Sequence, residues 1–167
     1  MLGSSHGRHL YLIGVGGNRR GRHGGPRAEV AAALAELGGR AAPIVASAPL
    51  GPSTRTFANA AALIETDAPP EALLARLKAI ERHFGRRRGR RWGARVIDLD
   101  VILWSGGRWE SPRLSIPHRA YRSRAFVLAP LVALAPRWRD PRTGHTLRQL
   151  HARLTKPRAV PRPARIA

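Results

Sequence analysis

An α+β fold is predicted by the order of apolar segments, which alternate roughly as β-α-β-β-α-β with two further helices appended. This order is typical of a ferredoxin-like sheet with helices on both faces, a three-layer α/β/α arrangement. A chain of 167 residues is long enough for one such domain and short for two. We therefore expect a single domain at residues 10–154, between a flexible leader at 1–9 and a Pro/Arg-rich tail at 155–167.

The first half of the chain contains two predicted strands, one helix and one ambiguous segment. Residues 10–13 are an apolar strand, and the glycine-rich stretch 14–18 predicts a sharp turn. Residues 27–37 carry apolar side chains at helical spacing and end in two glycines, which predicts a helix. Residues 43–47 form a second predicted strand, whereas the alanine-rich stretch 57–66 suits either a helix or a central strand.

The second half predicts three helices and one buried strand. Two prolines open a helix at 69–84 with a single apolar stripe, and a Gly/Arg loop follows at 85–91. Residues 96–103 are β-branched and apolar, as expected of a buried strand. Helices are predicted at 123–135, despite an internal proline, and at 146–154.

Composition excludes several classes of protein. No apolar run approaches the 18 or so residues of a membrane span, and we expect a soluble, cytoplasmic protein. The chain has no cysteine, which excludes disulfides, thiol catalysis and Cys-ligated metals. Any metal must therefore bind oxygen or imidazole ligands.

A formal net charge of +20 invites a nucleic-acid-binding interpretation. Of the 30 basic residues, however, only Lys78 and Lys156 are lysine, and such an arginine bias can reflect codon usage alone. RNA-binding forms of a ferredoxin-like sheet present aromatic side chains on adjacent strands, a pattern absent here. A nucleic-acid-binding module is therefore the less favoured alternative.

Two of only ten acidic residues, Asp98 and Asp100, lie two positions apart in the predicted strand at 96–103. Side chains alternate along a strand, so both carboxylates point to the face of Ile102, while Leu99, Val101 and Leu103 point into a core. Two like charges held close raise each other's pKa unless a cation lies between them. Mg²⁺ binds a pair of carboxylates together with phosphate oxygens and water, which predicts a nucleotide-dependent transferase.

Six arginines crowd the ten residues just before these aspartates, at positions 86, 87, 88, 90, 91 and 95. Arginine binds phosphate oxygens bidentately, so this loop is suited to closing over a polyphosphate, whereas simple salt bridges to the aspartates are the alternative. Trp92 could stack on a heterocycle or cover the core edge, and His118 could donate to a phosphate or be an ordinary surface imidazole. Neither a dinucleotide-binding fingerprint nor a Walker loop is present.

Residues 91–100 read Arg-Trp-Gly-Ala-Arg-Val-Ile-Asp-Leu-Asp, which resembles the RWGPRxxDLD signature of the 6-hydroxymethyl-7,8-dihydropterin pyrophosphokinase family. Other segments resemble further motifs of that family, in the same order, across residues 10–154. They are Gly-Gly-Asn at 16–18, Pro-Leu-Gly at 49–51, Phe-Ala-Asn-Ala at 57–60, Ile-Glu at 80–81, Gly-Arg-Arg-Arg at 85–88, Leu-Ser-Ile-Pro-His at 114–118 and Arg-Ala-Phe-Val-Leu at 124–128.

The resemblance implies a ferredoxin-like enzyme that transfers the diphosphate of ATP to the hydroxymethyl oxygen of a dihydropterin in folate biosynthesis, releasing AMP. Two Mg²⁺ ions are expected on Asp98 and Asp100, and the residues implied as catalytic alongside them are Arg86, Arg88 and Arg95. The implied pterin-binding residues are Ser47, Leu50, Phe57, Asn59, Trp92 and Phe126. The implied ATP-binding residues are Lys78, Glu81, Arg88, Arg91, Trp92, Arg95, Val101, Arg113, Ser115, His118 and Arg124.

The chain departs from the family pattern around the implied pterin site. Gly17 replaces a serine, Ser47-Ala48 replaces Thr-Pro, and no acidic residue precedes Phe57 in its loop. These departures motivate an alternative in which a related diphosphokinase acts on a modified pterin outside folate synthesis. In either case we expect small-molecule partners and no membrane or nucleic acid, and the sequence gives no indication of the oligomeric state.

Overall fold

The computed structural model describes residues 7–47, 56–85 and 96–157. In these ranges a five-stranded sheet and a two-stranded hairpin accompany four α-helices and one short 3₁₀ helix. The strands are β1 (His9–Gly17), β2 (Arg40–Ala41), β3 (Val45–Ser47), β4 (Phe57–Thr66), β5 (Asp98–Trp104), β6 (Trp109–Glu110) and β7 (Ser115–Ile116). The helices are α1 (Pro26–Leu37), α2 (Pro70–His83), the 3₁₀ helix (Tyr121–Ser123), α3 (Ala125–Leu134) and α4 (Leu147–Thr155).

The main sheet has β1 at its centre and β5 at one edge. Its order is β2-β4-β1-β5, β3 also pairs with β4, and every pairing is antiparallel. The strand that precedes α2, β4, thus lies between β1, which precedes α1, and β2 and β3, which follow α1. This is the strand order of a ferredoxin-like sheet, and that prediction is confirmed.

Helices cover both faces of the sheet and make two separate cores. On one face, Tyr11, Ile13 and Val15 of β1 pack with the apolar stripes of α1 and α2. On the other face, Leu12 of β1 packs with leucines of α3 and α4 and with the fully buried ring of Tyr121. Alternation along one strand thus supplies both layers.

The predicted turn at residues 14–17 is wrong, because β1 continues as a strand through Gly17. Each of these residues pairs with β4, and Gly14 to Gly16 also pair with β5, so hydrogen bonding from both neighbours holds an otherwise weak glycine-rich strand. Glycine fits here because side chains from the neighbouring strands approach closely: a Cβ on Gly14 would lie 3.2 Å from Ile102 Cδ1.

The ambiguous stretch at 57–66 is the strand β4, which pairs with β1, β2 and β3. Its alanines suit a central strand because Ala58, Ala60, Ala61 and Ala62 are packed between helices on both faces. The sequence did not predict β2 or the β6–β7 hairpin, since two-residue strands carry no periodicity.

Strand β5 begins two residues later than predicted and contains a bulge. Its register with β1 shifts between Leu12 and Ile13, leaving Ile102 as the extra residue. As a result Ile102 and Leu103 both pack in the α3/α4 core, whereas Leu99 and Val101 pack in the α1/α2 core. The prediction that Leu103 shares a face with Val101 is therefore wrong.

The four predicted helices are confirmed within a few residues at each end. Thr146 caps α4 through a reciprocal capping box with Gln149, and α3 tolerates Pro130 near its middle. Within residues 7–47, 56–85 and 96–157, no helix combines the length and apolar character needed to cross a bilayer.

Two adjacent glycines after α1 provide a test of this packing. Gly38 and Gly39 both have positive φ, but a Cβ on Gly38 meets open space, whereas one on Gly39 would collide with the carbonyl oxygen of Leu63. Gly38 has a ψ of −167°, a region at positive φ that is essentially restricted to glycine, so we expect Gly38→Ala to lower the free energy of unfolding by about 1–3 kcal/mol through backbone strain alone. Gly39→Ala should cost about 1–3 kcal/mol more, because β4 must shift. Urea unfolding of both variants measures the difference, and equal losses would contradict it.

Candidate active site

The two aspartates and Asn59 lie in register across three strands of the sheet. Gly16 of β1 pairs with Asn59 of β4 on one side and with Asp98 of β5 on the other. Paired residues of adjacent strands point to the same face, so Asn59 and Asp98 are separated by two strand spacings, about 10 Å. Asp100 follows Asp98 on the same face at about 7 Å along the strand.

Glycine leaves the middle of this row open. A Cβ on Gly16 would stand 3.2 Å from Asn59 Oδ1, and Gly14 pairs with Asp100 one step further along. The two glycines therefore form a floor without side chains between the amide and the carboxylates. Beyond Gly14 the same face is filled by Leu12 and Ile102 and covered by α3. In the part of the chain that the structure describes, the open area therefore lies at the end of the sheet that α3 leaves uncovered.

Asp98 and Asp100 are both half-buried on this face. Burial raises the pKa of Asp100, and the charge of Asp98 raises it further, while His118 and Lys78 act in the opposite direction. The two carboxylates thus share one face of β5, as strand alternation predicts, and a cation between them would relieve their repulsion.

Glu81 of α2 supports the strand that carries the aspartates. Its carboxylate is buried, accepts the backbone N–H of Leu99 at 2.9 Å, and accepts the Lys78 ammonium at 3.1 Å on each oxygen. Because β5 is an edge strand, its outward N–H groups need partners outside the sheet. Glu81 therefore ties the peptide between the two aspartates to α2.

His118 lies beside the edge strand near Asp100. Its backbone N–H donates to the Ile102 carbonyl at 3.0 Å, and its Nδ1 accepts the backbone N–H of Ala120 at 3.3 Å. With Nδ1 used as an acceptor, the neutral ring carries its proton on Nε2, which can donate to an anion. The interpretation of His118 as a phosphate donor is consistent with this arrangement.

The other candidate nucleotide-binding residues have mixed exposure. Arg113 and Arg124 are exposed, and the hydroxyl of Ser115 donates to Glu110 at 2.8 Å. The side chain of Val101 is buried in the α1/α2 core, so only its backbone can face a ligand.

The candidate pterin-binding aromatics are exposed although they are large. Phe57, at the start of β4, is 39% exposed, and Phe126, in the first turn of α3, is 55% exposed. Ser47 ends β3 and pairs with Phe57, which places this backbone beside the open end of the sheet. Exposed aromatic rings next to a sheet face that no described helix covers are typical of a binding site for a flat apolar ligand.

Residues Leu50, Arg86, Arg88, Arg91, Trp92 and Arg95 lie outside the described ranges. Val96 is the first described residue after that gap, and its carbonyl oxygen lies 2.6 Å from where a Cβ on Gly17 would stand. This close approach explains glycine rather than serine at position 17.

Asp98 and Asp100 fit a magnesium ion by the chemistry of their donors. Two carboxylates on one face leave the remaining octahedral positions to water and phosphate oxygens, as Mg²⁺ prefers. In the described part of the chain, no group of three or more His, Asp or Glu side chains could hold a metal alone. Among the described residues, a metal at these aspartates would therefore need further ligands from a substrate or from water.

Sequence reasoning missed one supporting acid near the site, Glu29 of α1. Its fully buried carboxylate accepts the His23 ring Nδ1 at 2.9 Å and the Gly24 backbone N–H at 3.2 Å, which holds the β1–α1 loop. A Cβ on Gly21 of that loop would lie within 2.7 Å of both Glu29 and Val96. The sequence does offer one indication of this role. Acidic residues are scarce in this arginine-rich chain, so each of them is a candidate for a specific contact.

Residues 12–136 match the family model for 7,8-dihydro-6-hydroxymethylpterin-pyrophosphokinase, HPPK. A 2-amino-4-hydroxy-6-hydroxymethyldihydropteridine pyrophosphokinase of Synechocystis is 43% identical over 100 residues, which cover 60% of this chain and 51% of the relative. The enzyme of that name from Pseudomonas aeruginosa is 44% identical over 104 residues, covering 62% of this chain and 64% of the relative. The chain thus spans between half and two thirds of the length of these curated relatives.

Solved structures support the fold. Wild-type HPPK-DHPS of Plasmodium falciparum, solved with pteroate, superposes with a TM-score of 0.64 at 13% identity, covering 88% of this chain and 44% of that one. Likeness at this level of identity establishes the shared architecture and confirms the α+β prediction.

The support that Glu81 gives to β5 can be measured. Glu81→Leu leaves the Leu99 N–H and the Lys78 ammonium without this acceptor, and we expect the free energy of unfolding to fall by about 1–3 kcal/mol. Glu81→Gln keeps an acceptor for the Leu99 N–H, so its free energy of unfolding should fall by less. Equal stability of Glu81→Leu and the wild type in urea unfolding would refute this role.

Proposed function

Since the chain belongs to the 7,8-dihydro-6-hydroxymethylpterin-pyrophosphokinase family, we propose that it transfers the diphosphate of ATP to 6-hydroxymethyl-7,8-dihydropterin and releases AMP in folate biosynthesis. The observation that carries the proposal is the row of Asn59, Gly16 and Asp98 across β4, β1 and β5. The amide of Asn59 and the carboxylate pair share one face of the sheet, and this supports binding of a heterocycle beside a phosphate-bound cation.

In this proposal the pterin lies between Phe57 and Phe126, with the amide of Asn59 bonding its polar edge and the glycine floor beneath its hydroxymethyl arm. Both phenylalanines are exposed and can stack on a flat ring. Gly16 matters because a methyl group there would press on Asn59 Oδ1.

ATP would occupy the side of the site next to Asp100, near His118, Arg113 and Arg124. His118 would donate from Nε2 to a phosphate oxygen, and the exposed arginines would neutralise charge. We assign the same neutralising role to Arg86, Arg88, Arg91 and Arg95, from the family signature alone.

Asp98 and Asp100 would hold magnesium, which when bound neutralises and orients the phosphates of ATP. The hydroxymethyl oxygen forms a bond to the β-phosphorus as the bond from that phosphorus to the α,β-bridging oxygen breaks. The bridging oxygen leaves on AMP, and the hydroxyl proton passes to water. Alignment and charge neutralisation account for most of the rate in such transfers, so no side chain is assigned as a general base.

The aspartates can be tested by assaying AMP formation from ATP, Mg²⁺ and 6-hydroxymethyl-7,8-dihydropterin. We expect Asp98→Asn and Asp100→Asn each to lower kcat/KM by about 100-fold or more, because several kcal/mol of charge stabilisation is lost. Asp67→Asn changes an exposed aspartate away from the site and serves as the control. Turnover that survives both substitutions would refute the proposal, and a folded wild type without turnover would favour the modified-pterin alternative.

The glycine floor provides a test of where the pterin binds. Gly16→Ala should raise the KM for the pterin by about tenfold, or 1.4 kcal/mol, because the new methyl displaces Asn59. The KM for ATP should change little. Gly25→Ala is the matched control, since a Cβ there meets nothing within 4 Å. An unchanged pterin KM in Gly16→Ala would place the pterin elsewhere.

A further inference from the structure

Arg122, which is partly buried, and the buried Asp140 form an ion pair close to, but outside, the proposed site. Asp140 is fully buried, and Arg122 donates to it from Nε at 2.7 Å and from Nη2 at 2.6 Å. Because two N–H groups on one edge of the guanidinium bind the two oxygens of the carboxylate, the ion pair is strong and directional. Asp140 lies beyond residue 136, where the match to the family model ends.

Asp140 is itself held rigidly in a turn before α4. Its carboxylate also accepts the Thr143 hydroxyl at 2.7 Å and the Arg142 backbone N–H at 3.3 Å, and its carbonyl accepts the Gly144 N–H at 2.8 Å. Burial by itself would raise the pKa of Asp140, but the hydrogen bonds from Arg122 and Thr143 outweigh it and hold the pKa well below its usual range. The carboxylate is therefore a charged, fixed acceptor.

The segment from His118 to Arg124 has weak backbone bonding of its own. Its hydrogen bonds run from Tyr121 N to His118 O at 3.5 Å, from Ser123 N to Ala120 O at 3.4 Å and from Arg124 N to Tyr121 O at 3.4 Å. Bonds of 2.9–3.0 Å are usual, so these contribute little to holding the segment. His118 is also held by its N–H bond to Ile102, and the Ser123 hydroxyl donates to the Ala120 carbonyl at 3.0 Å. The middle of the segment is held by the buried Tyr121 ring and by Arg122, whose guanidinium lies 4.8 Å from that ring centre.

Both ends of this segment carry candidate nucleotide-binding residues, His118 and Arg124. The Asp140 turn also reaches the other side of the segment, because Arg142 lines a cleft of about 170 Å³ together with Ser115, Ile116 and Pro117. The same turn thus lies across a cleft from the chain that precedes His118 and, through Asp140, contacts Arg122, two residues before Arg124.

We propose that Arg122 and Asp140 are positioning residues that hold His118 and Arg124 in the orientation needed to bind the nucleotide. Neither residue touches the substrate in this scheme. The nucleotide-binding part of the inference rests on the function proposed above, whereas the ordering of the segment does not.

The test compares Arg122→Lys with the wild type and with Arg8→Lys, which alters an exposed arginine–carboxylate pair at Glu65. Lysine keeps the charge but cannot make the two-bond contact. In Arg122→Lys, we expect amide hydrogen exchange at residues 120–124 to accelerate at least tenfold, with exchange in β1 and β4 unchanged. The KM for ATP should rise about tenfold while kcat and the pterin KM stay within twofold.

Arg8→Lys should match the wild type in every measurement. Thr143→Val removes the hydroxyl that donates to Asp140 but leaves the ion pair with Arg122 intact. It should raise the exchange rate at residues 120–124 and the KM for ATP by less than Arg122→Lys does. The proposal would be overturned if Arg122→Lys kept the wild-type rates of amide exchange and the wild-type KM for ATP. It would also be overturned if exchange became faster evenly over the whole chain, since that indicates general destabilisation. If the wild type does not use ATP, the proposed function fails, while the exchange experiment still decides whether the pair orders the segment.

Discussion

The antiparallel pairing of β1 with strands on both of its sides determines where the candidate site residues lie. Gly16 is the common partner of Asn59 and Asp98, so the amide and the first carboxylate are placed by two ladders that share one residue. A slip of one residue in either ladder would turn one of these side chains to the opposite face. The geometry of the site therefore depends on the register of the sheet more than on any contact within the site.

Buried carboxylates fix the segments around this sheet. Glu29, Glu81 and Asp140 are the buried acids of the described residues, and each accepts at least one backbone N–H. They secure the β1–α1 loop, the aspartate-bearing strand and the turn before α4, respectively. In a chain with 30 basic and 10 acidic residues, a buried acid readily finds a cationic partner, which offsets the free-energy cost of its burial.

Helices and the general order of elements were predictable, because apolar stripes and terminal Gly, Pro or Thr residues are local signals. The strand β4 was not distinguishable from a helix, since its alanines suit both and only pairing with three other strands decides between them. The sequence also did not predict that β1 continues through Gly17 or that β5 has a bulge at Ile102. Both features result from long-range hydrogen bonding, which local propensity does not encode.

For the site itself, the sequence alone determined the chemistry: paired carboxylates at Asp98 and Asp100, an arginine-rich stretch before them, and the motifs of a pterin pyrophosphokinase family. Only the tertiary structure decided that Asn59 and the aspartates share one face across a glycine floor, and that Asp140 pairs with Arg122 between His118 and Arg124. The physical reason is that residue types and local spacing are properties of the sequence itself. Strand register and buried ion pairs join positions far apart in sequence and exist only once the chain is folded.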